Sequence, residues 1–314
     1  MNARTMKAVR IHEYGGPEVV VYEDAPRPQE IASDEVLIRV SAAGVNPIDY
    51  QIRNGLVRQF FEIPFPYILG REVAGVIEQV GTQVNTFHVG EEVFALLTFQ
   101  ASGFAEYVSV KASRVAVKPT SLDFVYASAV PLTSLTAWQA LFEHGKLTTG
   151  QRVLIHAASG GVGLFAVQFA HAAGATVLAT TSGRNLSYVQ ELGADQVIDY
   201  TTTHFEEVAH DVDVVLEPLG GDVQARSWQT LRPGGILVSI IQPPSEIEAK
   251  KHNVSTAFFS VRPDGSQLAE VASKIDRGEI KVVLENVFEL REARAALQLS
   301  EAGHVRGKVA LRIW

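Results

Sequence analysis

The spacing of apolar residues changes near Pro119 and divides the chain into two kinds of sequence. Before that point apolar and polar residues alternate in short runs, at residues 6–11, 35–40, 73–80, 92–97, 107–110 and 115–118. A period of two sends one set of side chains to a core and the other to water, so each run predicts a strand. Tyr14-Gly15-Gly16-Pro17, Gly81 and Gly90 punctuate the runs as turns. Strands this closely spaced, with no helix between them, predict a compact barrel-like β unit.

Beyond Pro119 the period lengthens. Residues 121–128 and 133–142 read as helices, the second with Leu135, Trp138, Leu141 and Phe142 on one face. Strands and helices then alternate. A strand at 153–156 leads into a helix at 162–173, which repeats Phe165, Ala166, Phe169, Ala170 and Ala173 at helical spacing. A strand at 176–179, a helix at 186–192, and strands at 196–198, 212–216, 236–241 and 256–261 complete a six-strand pattern in two halves. That is the signature of an α/β Rossmann domain, a doubly wound parallel sheet. After residue 261 come a helix (267–277), a strand-rich stretch (280–288), a helix (292–301) and a strand (308–313). These elements are too few for a third domain. They are expected to rejoin the β unit, so that residues 1–122 and 262–314 form one discontinuous domain around a Rossmann domain at 123–261.

Bulk composition narrows the function. A chain of 314 residues, 46% hydrophobic and 20% charged, can bury two cores. Its net charge of −8, without a basic stripe, argues against nucleic-acid or anionic-membrane partners. With no cysteine, disulfides, thiolate nucleophiles and Cys-ligated metals are excluded. The first residues lack the apolar stretch of a secretory signal, and no apolar run reaches membrane-spanning length, so a cytoplasmic location is expected.

The strongest chemical signal is Val153-Leu154-Ile155-His156-Ala157-Ala158-Ser159-Gly160-Gly161-Val162-Gly163-Leu164. A buried strand runs into a small-residue turn that opens a helix. There the backbone can approach a pyrophosphate, and the free N–H groups and positive dipole end of the helix can hold it. A glycine cluster alone is equally what any tight strand–helix turn requires. The flanking strand and amphipathic helix favour a dinucleotide site built on Ser159, Gly160, Gly161, Val162 and Gly163. The usual first glycine of the fingerprint is replaced by Ala158. After the second strand, where an NAD-specific site places an acid for the ribose 2′-hydroxyl, the chain reads Ala179-Thr180-Thr181-Ser182-Gly183-Arg184. Thr181, Ser182 and the Arg184 guanidinium suit a 2′-phosphate instead, although Arg184 taken alone is also an ordinary solvated cation. The cofactor expected is NADP(H).

Several segments together carry a family resemblance. They include Met6-Lys7-Ala8-Val9, Gly44-Val45-Asn46-Pro47-Ile48-Asp49, Leu69-Gly70-Arg71-Glu72-Val73-Ala74-Gly75 and the glycine turn. Leu192-Gly193-Ala194-Asp195, Pro218-Leu219-Gly220-Gly221 and Gly303-His304-Val305-Arg306-Gly307-Lys308 extend them. In these the chain resembles the medium-chain dehydrogenase/reductase superfamily, specifically its zinc-independent, zeta-crystallin-like quinone oxidoreductase branch. The likeness spans nearly the whole chain. It implies that the β unit is a GroES-like catalytic domain and that the protein is a homodimer. Where the superfamily's zinc alcohol dehydrogenases carry a ligand Cys and a ligand His, this chain has Asn46 and Arg71. Asn and Arg are poor zinc ligands, so an Arg71–Glu72 ion pair is expected in place of a metal.

Without a Lewis acid, the hydride acceptor must stabilise its own negative charge, as a quinone or an α,β-unsaturated carbonyl does. The resemblance places Asn46 beside the nicotinamide and substrate, with its amide free to donate to an oxyanion. From the residues alone Asn46 reads equally as the turn residue before Pro47. Tyr50 is a candidate phenolic proton donor, one position earlier than the tyrosine of many relatives. By the same resemblance Thr136 lies near the nicotinamide and Tyr200 stacks near the adenosine phosphate. Gln242, Phe259 and Ser260 end the fifth and sixth strands, where the carboxamide should rest. Lys308 is expected to reach a cofactor phosphate, and Phe60, Phe61, Phe65 and Tyr67 either line an apolar substrate pocket or pack a core. Three functions compete: an NADPH-dependent quinone reductase, an enone, alkenal or enoyl reductase, and a non-catalytic NADP(H)-binding sensor.

Overall fold

The computed structural model describes residues 4–60 and 62–314, and the chain divides into two compact units. One comprises residues 1–132, 262–278 and 282–314, and the other 133–261 and 279–281.

The first unit opens with β1 (Thr5–Ile11), β2 (Val21–Pro26), β3 (Glu35–Val45), α1 (Pro47–Arg53), β4 (Tyr67–Ile68), β5 (Glu72–Val80) and β6 (Glu92–Leu96). It continues with β7 (Tyr107–Lys111), β8 (Val115–Val117) and α2 (Phe124–Ser128). The alternating runs are the strands, but three elements carry no such pattern. β2 buries only Ala25, and ion pairs such as Lys7–Asp24 and Arg10–Glu23 add to its pairing with β1. β4 is two residues long. α1 starts at Pro47, whose fixed φ suits a first helical turn, and Asp49 accepts the Asn46 backbone N–H at 2.8 Å. The Asn-Pro pair is therefore a helix start and not only a turn.

The second unit begins with α3 (Pro131–Trp138), which runs into a π-helical stretch at Gln139–His144. It continues β9 (Arg152–Ile155), α4 (Gly161–Ala172), β10 (Thr176–Thr181), α5 (Leu186–Glu191), β11 (Gln196–Asp199), β12 (Val212–Glu217), α6 (Gly221–Ser227), β13 (Leu231–Ser239), α7 (Glu246–His252) and β14 (Ser255–Phe258). Among the described residues the strands form one parallel sheet in the order β11-β10-β9-β12-β13-β14. In chain order within the unit this reads 3-2-1-4-5-6, the Rossmann arrangement. Periodicity missed α7 because it is mostly charged and buries only Ala249; the Ser245 Oγ caps its first turn.

The chain then returns through α8 (Gly265–Asp276), β15 (Leu284–Glu289), α9 (Ala293–Ala302) and β16 (Lys308–Arg312). β16 pairs antiparallel with the end of β3, which continues through β5, β6 and β8, while β7 pairs with the start of β3 on the same edge as β16. The first segment runs on to Leu132 because α2 packs on β3 and β5. No helix among the described residues is long and apolar enough to cross a membrane.

A titratable ring is buried in the Rossmann core. His156, directly after β9, is 1% exposed; its ring nitrogens lie 3.0 Å from the Thr180 Oγ1 and 3.0 Å from the Ser227 Oγ. Burial, with a smaller effect from Arg226, pushes its pKa down to about 3, so the native imidazole stays neutral. The unfolded histidine titrates at an ordinary value, so its contribution to stability is present above about pH 6.5 and is lost as pH falls toward 3. Between pH 7 and pH 5 chemical unfolding of the protein should show about 2 kcal/mol more loss than unfolding of His156→Gln. An identical pH dependence in the two proteins would contradict this.

Candidate functional site

The glycine turn lies at the carboxyl end of β9, as the strand–turn–helix reading requires. Ala157 takes a left-handed conformation, φ 51°, and Ala158 follows it with its N–H donated to the Thr180 carbonyl at 3.0 Å. The left-handed residue of the turn is thus Ala157, one place before the substituted glycine. Gly163 is required for another reason. A Cβ there would stand 2.3 Å from the Ala157 carbonyl oxygen and 2.6 Å from the Ala158 Cα, so only glycine lets α4 sit this close to the turn. Gly160 is the N-cap without a side-chain cap, so the first-turn N–H groups at Gly161, Val162 and Gly163 point out of the helix end.

Beside the turn, the end of β10 is tied to it. The Thr181 hydroxyl donates to the Ser159 Oγ at 3.0 Å, and the Asn185 amide donates to the same oxygen at 3.1 Å and to the Ser182 Oγ at 3.3 Å. Thr181 is buried, Ser182 half-buried and Arg184 exposed, and Tyr200 is exposed on the adjoining loop with its N–H on the Thr181 carbonyl. The structure thus brings Ser159, Thr181, Ser182 and Arg184 to one corner of the sheet. It also brings a residue the linear reading overlooked: Asp199, which pairs in register with Thr181 across β10 and β11. The signal was the Asp in Val197-Ile198-Asp199-Tyr200, which becomes a neighbour of Gly183 only through strand pairing.

Further along the carboxyl edge, Glu217 at the end of β12 is fully buried. It accepts the N–H groups of Leu219 and Gly220 at 2.7 and 2.6 Å and the Gln224 amide at 3.1 Å. These bonds shape the loop Pro218-Leu219-Gly220-Gly221, beside which Gln242 lies exposed within 3.5 Å of Gln224. Sequence reading also missed Glu217. Phe259, just past β14, stacks on His144 with centroids 4.2 Å apart, and Ser260 next to it is exposed. Thr136 is buried in α3.

The barrel unit holds a separate polar cluster. Glu72 at the start of β5 is fully buried. One carboxylate oxygen is 2.8 Å from the Lys308 Nζ and accepts the Asn46 amide at 2.8 Å; the other accepts the Leu132 N–H at 2.7 Å. Lys308 also donates to the Val45 carbonyl and to the Asn46 Oδ1. Two expectations change here. The Lys308 ammonium, 3% exposed, has its three N–H groups on Glu72, Asn46 and Val45 and none for a cofactor phosphate. The Asn46 side chain, expected to donate to an oxyanion, instead donates to Glu72 and accepts from Lys308, because a buried carboxylate must gather donors.

The expected Arg71–Glu72 pair does not form either. Adjacent residues on extended backbone point to opposite faces, so the Arg71 Nε donates to the Leu97 carbonyl at 3.0 Å and its guanidinium lies 3.6 Å from the Phe99 ring centroid. Asp49 is fully buried; its Oδ2 takes the Asn46 N–H, and its Oδ1 has no hydrogen-bond partner among the described residues. Burial pushes its pKa up to about 7, against the pull of that N–H, Lys308 and Arg71. Tyr50 is half-buried and packs against the barrel core. Of the aromatic set, Tyr67 is core, with its hydroxyl on the Phe99 carbonyl at 3.0 Å and its pKa pushed up to about 12 by burial. Phe60 and Phe65 are exposed, Phe65 edge-on to Tyr14, and Phe61 lies outside the described residues.

Comparison with known proteins places this geometry. Residues 32–120 match the model of the alcohol dehydrogenase GroES-like domain, and residues 192–311 that of the zinc-binding dehydrogenases. The chain is 32% identical to the mitochondrial NAD(P)H oxidoreductase RTN4IP1 of Danio rerio, over 98% of this chain and 91% of that protein. It is also 32% identical to a chloroplastic NADPH-dependent alkenal/one oxidoreductase of Arabidopsis thaliana, over 98% of this chain and 80% of that protein. Among solved structures, the quinone oxidoreductase of Coxiella burnetii superposes with a TM-score of 0.92 at 32% identity, over 99% of this chain and 100% of that one. An Escherichia coli quinone oxidoreductase complexed with NADPH superposes with a TM-score of 0.88 at 27% identity, over 98% and 100%. The zinc of the second matched model does not fit the donor set here. Asn46 and Arg71, which the resemblance sets opposite zinc ligands, offer an amide engaged by Glu72 and Lys308 and a guanidinium, which repels a cation, and no group of three or more His, Asp or Glu side chains among the described residues could hold a metal.

Two measurements test the barrel cluster. Lys308→Met leaves the Glu72 carboxylate buried without its cation and should cost about 3–5 kcal/mol in chemical unfolding, part of which Lys308→Met with Glu72→Gln should restore. Additive losses in the pair would mean that the two residues do not stabilise each other. Asp49 binds its proton more tightly folded than unfolded, so its contribution to stability is present below about pH 4 and is lost as pH rises through about 7. Asp49→Asn should therefore raise Tm relative to the unmutated protein more at pH 8 than at pH 5, and an equal difference at both would refute the buried-acid assignment.

Proposed function

Because the chain belongs to the medium-chain dehydrogenase/reductase superfamily, in its quinone oxidoreductase branch, we propose that it is an NADPH-dependent reductase transferring hydride to a quinone. The observation that carries this reading is the glycine turn at the carboxyl end of β9, where an uncapped helix end meets the Thr181–Ser182–Arg184 corner. When bound, NADPH supplies a hydride from its nicotinamide ring. The backbone N–H groups of Gly161, Val162 and Gly163 hold the pyrophosphate at the positive end of α4, with Ser159 and Gly160 forming the turn. Thr181, Ser182 and Arg184 hold the 2′-phosphate, Arg184 through charge-assisted hydrogen bonds, and Tyr200 covers the adenosine. The Glu217-bound loop, Gln242, Phe259 and Ser260 line the carboxyl edge where the nicotinamide end belongs, and the family resemblance assigns Thr136 to the same end.

On the barrel side Asn46 is a positioning residue: locked between Glu72 and Lys308, it sets the start of α1 and hence Tyr50. Tyr50 is the proposed phenolic donor to the reduced oxygen. A quinone spreads the incoming negative charge over its own conjugated oxygens, so hydrogen-bond donation and alignment suffice, and alignment can contribute roughly 7–11 kcal/mol. The likeness to the alkenal/one oxidoreductase, 32% identity over 98% of this chain, supports an α,β-unsaturated carbonyl as the second reading. We place the protein in the cytoplasm as a homodimer, following the reading of its sequence.

NADPH oxidation should proceed with quinones, more slowly with alkenals, and in reverse not at all with simple alcohols and NADP+; chelators should leave it unchanged. No oxidation with any acceptor would end the enzymatic reading in favour of an NADP(H)-binding sensor, and loss on chelation would end the metal-free one. Arg184→Ala should raise KM for NADPH about tenfold and spare NADH. An equal rise for both cofactors would remove Arg184 from the phosphate site.

A further inference from the structure

Asp199 occupies a position that the cofactor reading above does not use. Its carboxylate accepts the Thr201 Oγ1–H at 2.7 Å and the Thr201 N–H at 3.0 Å through one oxygen. The other oxygen stands 2.7 Å from where a Cβ on Gly183 would lie, and the Gly183 N–H helps stabilise the ionised form. Gly183 lies between Ser182 and Arg184, two of the proposed phosphate ligands, and Tyr200 directly follows Asp199. A negative charge is therefore built into the wall of the adenosine corner, although no acid follows β10 in sequence. The donated hydrogen bonds, that of the Thr201 hydroxyl foremost, hold the carboxyl below its usual range, so it is charged at neutral pH.

We propose that Asp199 is a specificity-determining residue that weakens the preference for NADPH over NADH by placing a carboxylate charge beside the 2′-phosphate corner. The inference rests on the 2′-phosphate assignment of the preceding subsection. Asp199 does not act as an NAD-type acid that accepts from a ribose hydroxyl, since its oxygens already face Thr201 and Gly183. It acts through its field. Repulsion of a dianionic phosphate by a half-buried charge at the edge of this corner is modest beside water and is screened by salt. Discrimination would then reflect a balance, with the Arg184 guanidinium favouring the phosphate and Asp199 opposing it.

The test compares full-length unmutated protein, Asp199→Asn and Thr201→Val, titrating NADPH and NADH at low and high salt and measuring KM and kcat for both. Asp199→Asn keeps an acceptor for Thr201 but removes the charge, and should raise the NADPH-over-NADH preference in Kd and KM about fivefold at low salt. The shift should fade at high salt, with kcat unchanged. Thr201→Val removes the hydroxyl hydrogen bond, keeps that of the backbone N–H and leaves the charge in place, and should leave the preference where it was. A parallel loss of both cofactors in Asp199→Asn, an unchanged ratio, or the same shift in Thr201→Val would each overturn the inference and leave a purely structural clamp. Failure of the unmutated protein to bind NADPH would instead overturn the cofactor reading itself, and this inference with it.

Discussion

A fully buried ion pair ties together the two segments of the discontinuous barrel, beside the apolar core and strand pairing they share. Glu72 belongs to the segment before the Rossmann insertion and Lys308 to the segment that returns after it, and their charges meet at 2.8 Å with almost no access to water. Neither charge is tolerable alone at that depth. The last strand lies against β3 in a register, Val309 opposite Val45, that brings Lys308 to Glu72. Asn46, at the end of β3, completes the arrangement by donating to one partner and accepting from the other. The start of α1 and the burial of Asp49 follow from that fixed point. Within this cluster the buried carboxylate is neutralised by the ammonium of Lys308.

The Rossmann unit relies on backbone geometry where the barrel relies on charge. Its glycine turn works because Gly163 has no side chain to separate α4 from the Ala157 carbonyl, leaving the first-turn N–H groups directed outward. Two of its buried polar groups gather their partners from within the unit. His156 bridges Thr180 and Ser227 as a neutral ring, and Glu217 gathers two backbone N–H groups and an amide. Both stiffen the edge of the sheet from which the cofactor-facing loops depart, so a rigid scaffold presents a backbone-lined surface.

The architecture was legible along the chain wherever burial imposed a period. Alternation marked the barrel strands, the 3.6-residue repeat marked α4, and the strand–turn–helix context of residues 153–164 identified the nucleotide turn. Elements without an apolar face were not legible: β2 is held by its backbone pairing and ion pairs with β1, and α7 buries only Ala249. Neither displays an apolar face to find.

Side-chain partnerships were decided by tertiary structure. The sequence by itself determined the fold class, the Rossmann strand pattern and the dinucleotide turn, because each is a local consequence of periodicity or of the space a small residue leaves. It could not determine that Glu72 turns from its neighbour Arg71 toward Lys308, or that Lys308 is thereby withdrawn from any phosphate. Nor could it place Asp199 against Gly183, which lies sixteen positions earlier in the sequence and is brought near by the pairing of β10 with β11. Electrostatic neighbours are selected by distance in space, and only the packed strands set that distance.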